Sequence, residues 1–265
     1  MKTSFTTLAC PDWELDEILT RAAEYGYDAV DFRGLGGKMG VFIRPEFTDD
    51  APATRARLAE LGLVISCFSS GARLCSPDAR TAAKMLSEVK EYATLCGRFD
   101  VPCIRVFGGQ CQDERPIAAR KAAGVMDEMA AIAAPATICL ETHDDWTRAE
   151  DVAALMEATK AENVGVCWDL HHPYRMAGED PQTTWDTLGR WICYTHVKDS
   201  APKDDGFAYC LPGEGDVPLE AMIRLLGRNG YDGYLTVEWE KRWHPEIADP
   251  AVALPAYSRF LSELS

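Results

Sequence analysis

The sequence predicts an α/β protein folded as a single (β/α)8 barrel, and three observations lead there. Eight short runs rich in Val, Ile, Cys, Phe and Tyr alternate with eight longer amphipathic stretches. Such alternation implies parallel βαβ units, because a parallel neighbour requires a crossover. Four successive runs each carry an acid or an imidazole near their end: Glu141 in TICLETHDD, Asp169 in VGVCWDLHH, His196 in ICYTHVKD and Glu238 in YLTVEWEK. These side chains converge only if the four strands are neighbours ending at one rim, which is where a barrel places its active site. The length of 265 residues also suits a barrel, which commonly runs to about 250 residues as one unit.

The first strand is expected over Thr3–Ala9 and the first helix over Trp13–Tyr25, with Pro11-Asp12 ahead of the helix and Gly26 behind it. A capping acid and a proline belong at helix starts, and glycine at left-handed stops. Ala29–Arg33 and Ala51–Leu61 form the second pair, stopped at Gly62. Leu63–Ser69 and Asp78–Cys96 form the third, with Ser76-Pro77-Asp78 as the helix start. Cys103–Phe107 with Ile117–Ala133, then Thr137–His143 with Ala149–Ala161, are the fourth and fifth. Val164–Leu170 is the sixth strand, and Asp180-Pro181 precede the sixth helix at Thr183–Arg190. Ile192–Val197 and Leu219–Asn229, followed by Gly230, make the seventh pair; Tyr234–Trp239 and Ala251–Leu264 the eighth. No linker or low-complexity stretch divides the chain, so residues 1–265 read as one barrel domain. The competing open doubly wound sheet brings a GxGxxG-type turn after an early strand. Neither Gly34–Gly37 nor Gly213-Glu214-Gly215 matches it, and Glu214 inside the second argues for a shaped loop rather than a phosphate cradle.

Composition narrows the partners. The formal charge is −15, which disfavours nucleic acid because that affinity depends on cationic side chains. No apolar run approaches the roughly 20 residues of a membrane span, and the opening MKTSFTTLACPDWELDE does not read as a secretory signal. A cytoplasmic protein acting on a small molecule, free to form a homo-oligomer, is the expectation. Of ten cysteines, Cys67, Cys103, Cys139, Cys167 and Cys193 fall within strand runs, and no CxxC pair exists. Strand alternation puts Cys139 on the face of Glu141 and Cys167 on that of Asp169. They read as reduced core thiols beneath the rim.

Any one rim residue alone reads as a hydrogen-bonded carboxylate or a structural histidine. Four together read as a site for one divalent ion, because uncompensated buried charge is costly. Three carboxylates with one imidazole favour manganese, with magnesium or cobalt as alternatives, whereas closed structural zinc sites favour Cys and His. His143 shares the face of Glu141 and lies further out, placed for acid–base work or a substrate hydroxyl; a solvated loop histidine is the plain alternative. Of His171 and His172 one is expected to turn inward. Lys198 shares the parity of His196, so its ammonium could stabilise an enolate-like oxygen, unless it pairs with Asp199. Arg105 either pairs with a carboxylate inside the barrel or reaches substrate, and pairing is the commoner fate. Trp146, Trp239 and Phe107 are read either as packing or as an apolar wall for a sugar ring, and Glu240 as a support for Glu238.

The chain resembles the sugar isomerase/epimerase superfamily of xylose-isomerase-like barrels. The resemblance runs over nearly the whole length and is strongest in LETH (Leu140–His143), WDLHHP (Trp168–Pro173), HVKD (His196–Asp199), GEGD (Gly213–Asp216) and YDGYLTVEWE (Tyr231–Glu240). It implies a metal held by Glu141, Asp169, His196 and Glu238, with the two glutamates also transferring protons and His172 contacting substrate. Ketose 3-epimerases of that group carry a glutamate where this chain has Thr147, and an arginine where it has the 201–203 segment, so substrate contacts differ. The superfamily also includes inosose and dehydroshikimate dehydratases and enzymes that cleave 3-keto glycosides by elimination, so the implied function is an isomerase or epimerase acting through an enediolate, with a β-eliminating lyase as the alternative. Its endonuclease IV branch needs three zinc ions and extra histidines, and this chain has five histidines in all. A non-catalytic sugar-binding barrel is a further alternative, disfavoured by the intact ligand set.

Overall fold

The computed structural model describes residues 1–264. Its barrel strands are β1 (Lys2–Thr6), β2 (Ala29–Phe32), β3 (Val64–Arg73), β4 (Cys103–Phe107), β5 (Thr137–Glu141), β6 (Val164–Asp169), β7 (Ile192–Val197) and β8 (Tyr234–Val237). They close in sequence order, with β8 beside β1. The principal helices are α1 (Leu15–Glu24), α2 (Ala51–Glu60), α3 (Ala79–Phe99), α4 (Arg115–Ala133), α5 (Ala149–Ala158), α6 (Pro181–Leu188), α7 (Leu219–Arg228) and α8 (Pro250–Ser262). The expected (β/α)8 barrel is therefore present. Among the described residues no helix is long and apolar enough to cross a membrane.

Helix starts and stops follow the local chemistry. Asp78 caps α3, its Oδ1 accepting from the Thr81 N–H at 2.9 Å. Asp180 caps α6 through the Gln182 N–H at 2.9 Å, with Pro181 in the first turn. Gly26 and Gly62 turn the chain out of α1 and α2 at φ 80° and 68°, the left-handed region that glycine enters without a Cβ penalty. Departures sit at element edges: Thr7–Ala9 leave β1 as a 3-10 turn, and β3 runs on to Arg73 through a register shift after Ser69. Besides short 3-10 turns, the elements outside the eightfold pattern include a hairpin of Gly34–Leu35 with Lys38–Met39, a short helix His172–Ala177, and a hairpin of Asp199–Lys203 with Gly206–Cys210.

By internal packing the chain divides into two units, Met1–Ser66 with Thr195–Ser265, and Cys67–Tyr194. In the first, Phe5 meets Tyr27 edge-on at 4.9 Å and Phe32 meets Phe47 at the same distance, while α1 buries Ile18, Leu19 and Ala22. In the second, α3 buries Val89, Tyr92, Leu95 and Phe99. Phe68 of β3 packs on the Tyr92 and Phe99 rings at 5.7 and 6.5 Å. Each fully buried aromatic contributes about 1.5–3 kcal/mol. With Phe68 turned out to the helix, Ser69 is left on the inner face, level with Arg105, which is in turn level with Cys139.

Candidate active site

Within Cys67–Tyr194, β5 and β6 end on Glu141 and Asp169, both completely buried. Arg105 of β4, also buried, takes the pairing role: its Nε stands 3.3 Å from Glu141 Oε2. Its Nη1 donates to the Ser70 carbonyl at 2.9 Å, and the guanidinium lies 3.9 Å from the Phe107 ring centroid. The Ser70 carbonyl and the Phe107 ring thus hold the charge that aligns Glu141. Asp169 Oδ1 accepts the backbone N–H groups of His171 and His172 at 2.8 and 3.0 Å, so the carboxylate caps the short helix while Oδ2 faces His172 Nδ1 at 3.3 Å. Both histidines are buried, where one was expected to turn inward; capping by Asp169 draws both N–H groups, and so both residues, beneath the rim.

His143 stands edge-on to His172 with centroids 4.6 Å apart, and 4.8 Å from Phe107. Its Nδ1 is 2.9 Å from Asp144 Oδ1. That hydrogen bond holds the Asp144 carboxyl below its ordinary range, against the opposing effect of partial burial. Asp144 adopts φ 53°, a left-handed conformation that aspartate tolerates better than most residues. Trp146 and Trp239 are buried to 0% and 1% exposure and pack internally, so they form no wall for a ligand; of the three aromatics only Phe107 reaches the surface of the site.

Within the other unit, His196, Lys198 and Glu238 are buried. His196 Nδ1 is 3.3 Å from Glu238 Oε1, and its Nε2 is 3.6 Å from Asp31 Oδ2. Lys198 Nζ hydrogen-bonds Glu238 Oε2 and lies 3.0 Å from Glu240 Oε1. Tyr209, on the second hairpin, donates to Glu240 Oε1 at 2.9 Å. Asp199 is engaged with backbone instead: its carboxylate accepts from Ser200 and Gly213 at 2.8 Å and from Gly215 at 3.2 Å. Burial pushes the Asp199 carboxyl up, opposed by those same N–H groups. The GEGD loop therefore wraps the chain's own carboxylate, and a Cβ on Gly215 would stand 2.1 Å from Asp199 Oδ1.

Glu141, Asp169, His196 and Glu238 are all buried, each at or next to the end of its strand, β5, β6, β7 and β8 in turn. Asp169, His171 and His172, also buried, each offer one ligating atom within 4.8 Å of one another. Carboxylates held out of water are costly and are stabilised by a cation. A hard, oxygen-rich set with one imidazole fits a divalent ion.

Two residues beside these groups, the buried Asp31 and the partly exposed Tyr209, escaped the sequence reading. Asp31 is an acid inside the apolar run DAVDF, the same signal that marks Arg105. Tyr209 had no comparable signal, because its hairpin interrupts the strand–helix rhythm. Cys139 and Cys167 are buried as expected, whereas Cys193 is exposed; it is the second residue of β7, at the strand's outer end.

The profile of the family described as xylose isomerase-like TIM barrel matches residues 19–261. An inosose dehydratase of Clostridium botulinum is 28% identical over 116 residues, a match spanning 38% of this chain and 38% of that protein. A fructoselysine 3-epimerase of Escherichia coli O157:H7 is 37% identical over 70 residues, 26% of this chain and 24% of that one. The chain thus aligns with less than half the length of either relative. Among solved structures, the IOLI protein with a bound zinc atom superposes with a TM-score of 0.83 at 18% identity, over 100% of this chain and 98% of that one. With the profile covering most of its length and the closed eight-stranded barrel in place, this chain belongs to the xylose isomerase-like TIM barrel family.

Proposed function

We propose that the protein is a divalent-metal-dependent isomerase or epimerase acting on a sugar or keto-sugar through an enediolate. The observation that carries this reading is that Glu141, Asp169, His196 and Glu238 are buried at the ends of four consecutive strands, β5 to β8. Manganese is the favoured occupant, with magnesium or cobalt as alternatives. When bound, such an ion polarises a substrate carbonyl as a Lewis acid and acidifies the neighbouring C–H.

The chain's own groups perform the proton transfers. Glu141 and Glu238 enter from β5 and β8, three steps apart in the strand order, so one takes the α-proton and the other returns it. Arg105 at 3.3 Å orients Glu141. Lys198, gripped by Glu238 and Glu240, presents an ammonium to the developing enediolate oxygen. His143 and His172, steadied by Asp144 and Asp169, move protons at substrate hydroxyls.

A β-eliminating dehydratase or lyase is the second reading, favoured by the His143–Asp144 pair. An imidazole steadied by a carboxylate is an acid suited to protonating a leaving hydroxyl. The inosose dehydratase relatives carry the same class of reaction in their name. The test is a panel of ketoses, inososes and 3-keto glycosides with the manganese-loaded protein in deuterated water, followed by NMR. A product of unchanged composition carrying deuterium at the α-carbon supports the isomerase or epimerase; loss of water or of the glycosidic substituent supports the lyase. No metal-dependent exchange with any member of the panel would sink both.

A further inference from the structure

Two cysteines outside the proposed metal centre face each other across loops that the mechanism does not use. Cys75 lies in the segment between β3 and α3, and Cys111 in the segment between β4 and α4; both are free and partly exposed. Their sulfurs are 3.3 Å apart. Backbone bonds align the two segments: Leu74 N–H donates to the Phe107 carbonyl at 3.0 Å and Cys75 N–H to the Gly108 carbonyl at 2.9 Å. The Cys111 N–H is tied to Asp145 Oδ2 at 2.7 Å. A cavity of about 470 Å³ opens beside the pair, its polar lining including Arg73, Gln110, Gln112 and Asp144.

We infer that Cys75 and Cys111 form a dithiol site that reacts with carboxylate-bearing small-molecule disulfides, such as oxidised glutathione, to give a reversible intramolecular disulfide. A disulfide has an S–S length of about 2.05 Å, so the two sulfurs must approach by a little over ~1 Å. Segments outside helix and strand give that much. The cavity admits the small disulfide to both sulfurs, and the exposed Arg73 guanidinium offers its carboxylates a partner. Another close pair, Cys139 and Cys193 with sulfurs 3.1 Å apart, is less accessible because Cys139 is wholly buried within β5.

Burial, reinforced by the hydrogen bond with Cys111, pushes the Cys75 thiol up to about 12, so Cys111 opens the exchange. Its thiolate attacks one sulfur of the small disulfide, whose S–S bond breaks and releases one small thiolate, which takes up the Cys111 proton. Cys75 then loses its proton and attacks Cys111 Sγ, releasing the second small thiol, which carries that proton away. The two protein thiols are oxidised by two electrons and the small disulfide is reduced to two thiols. The bridge would join the β3–α3 and β4–α4 segments next to Asp144 and Asp145, stiffening the wall that carries His143.

The test is incubation of the full chain with oxidised glutathione, alkylation under denaturing conditions and peptide mapping. The expected product joins the Cys75 and Cys111 peptides, leaves eight rather than ten titratable thiols, and reverts with dithiothreitol. Cys75→Ser should accumulate glutathione on Cys111 without closing, and hydrogen exchange across residues 74–79 and 108–114 should slow in the bridged wild type. Recovery of both cysteines unmodified while Cys193 carries glutathione overturns the proposal, as does a bridge mapped to Cys139 and Cys193 alone. None of these readouts depends on the chemistry proposed for the metal centre.

Discussion

Glu238 concentrates the most chemistry per side chain. Its Oε1 faces His196 Nδ1 at 3.3 Å and its Oε2 holds the Lys198 ammonium, so one carboxylate is proposed both as ligand and as proton carrier. Glu238→Gln keeps an oxygen donor and nearly the same shape but removes the basic charge. Metal should be retained while turnover falls on the order of a hundredfold or more, the usual scale of general acid–base catalysis. Solvent deuterium incorporation at the substrate α-carbon should fall in step. Undiminished exchange in a metal-loaded variant would leave Glu238 a ligand only. Arg105 makes a useful contrast: an arginine inside an apolar strand is conspicuous in sequence, yet the choice between pairing and substrate contact needed the 3.3 Å approach to Glu141 to resolve.

At the scale of the element, caps and loops can be tested one at a time. Asp78 accepts both the Thr81 N–H and its hydroxyl at 2.9 Å. Those bonds lower its carboxyl pKa, backbone first and side chain second. A depressed folded-state pKa means that the cap stabilises fully above the unfolded value of about 3.9 and loses its effect as pH falls through the folded value. Asp78→Ala should therefore be less stable than wild type at neutral pH, with the gap closing in acid denaturation series taken well below pH 4. A gap that persists there would assign the effect to the neutral carboxyl, which still accepts from Thr81 without its charge. The GEGD loop gives a second test. A Cβ at Gly215 would meet Asp199 Oδ1 at 2.1 Å and the Ser200 carbonyl at 2.3 Å, so Gly215→Ala should cost about 1–3 kcal/mol through overpacking, measured by urea denaturation. A neutral result would show that the loop relaxes away from Asp199.

For the whole molecule, the proposed ion is a ligand of the native state alone, since its donors come from β5 to β8 and are far apart in the unfolded chain. An ion at a hundred times its Kd stabilises by about 2.7 kcal/mol, or about 5–10 °C in Tm for a chain of this size. Manganese should raise the melting temperature by that order, and a chelator should reverse it. Asp169→Asn should blunt the shift, because it removes a charged donor while keeping an oxygen. A full shift in that variant would locate the ion elsewhere.

The eight strands and eight helices were readable because apolar spacing, capping acids and stop glycines are local properties of the chain, and the end-of-strand position of Glu141, Asp169, His196 and Glu238 followed from them. Strand parity likewise placed Cys139 and Cys167 inside. What tertiary structure alone decided are the choices among partners. Lys198 turned to Glu238 and Glu240 because Asp199 is taken by backbone N–H groups from a loop 14 and 16 residues away. Tyr209 reached Glu240 only through a hairpin that breaks the repeat. The Cys75–Cys111 approach joins residues 36 apart through loops with no periodic signature. Periodicity records which face of its own strand or helix a side chain occupies; which distant group meets it depends on how the elements pack, and that information is not carried by any local window of the sequence.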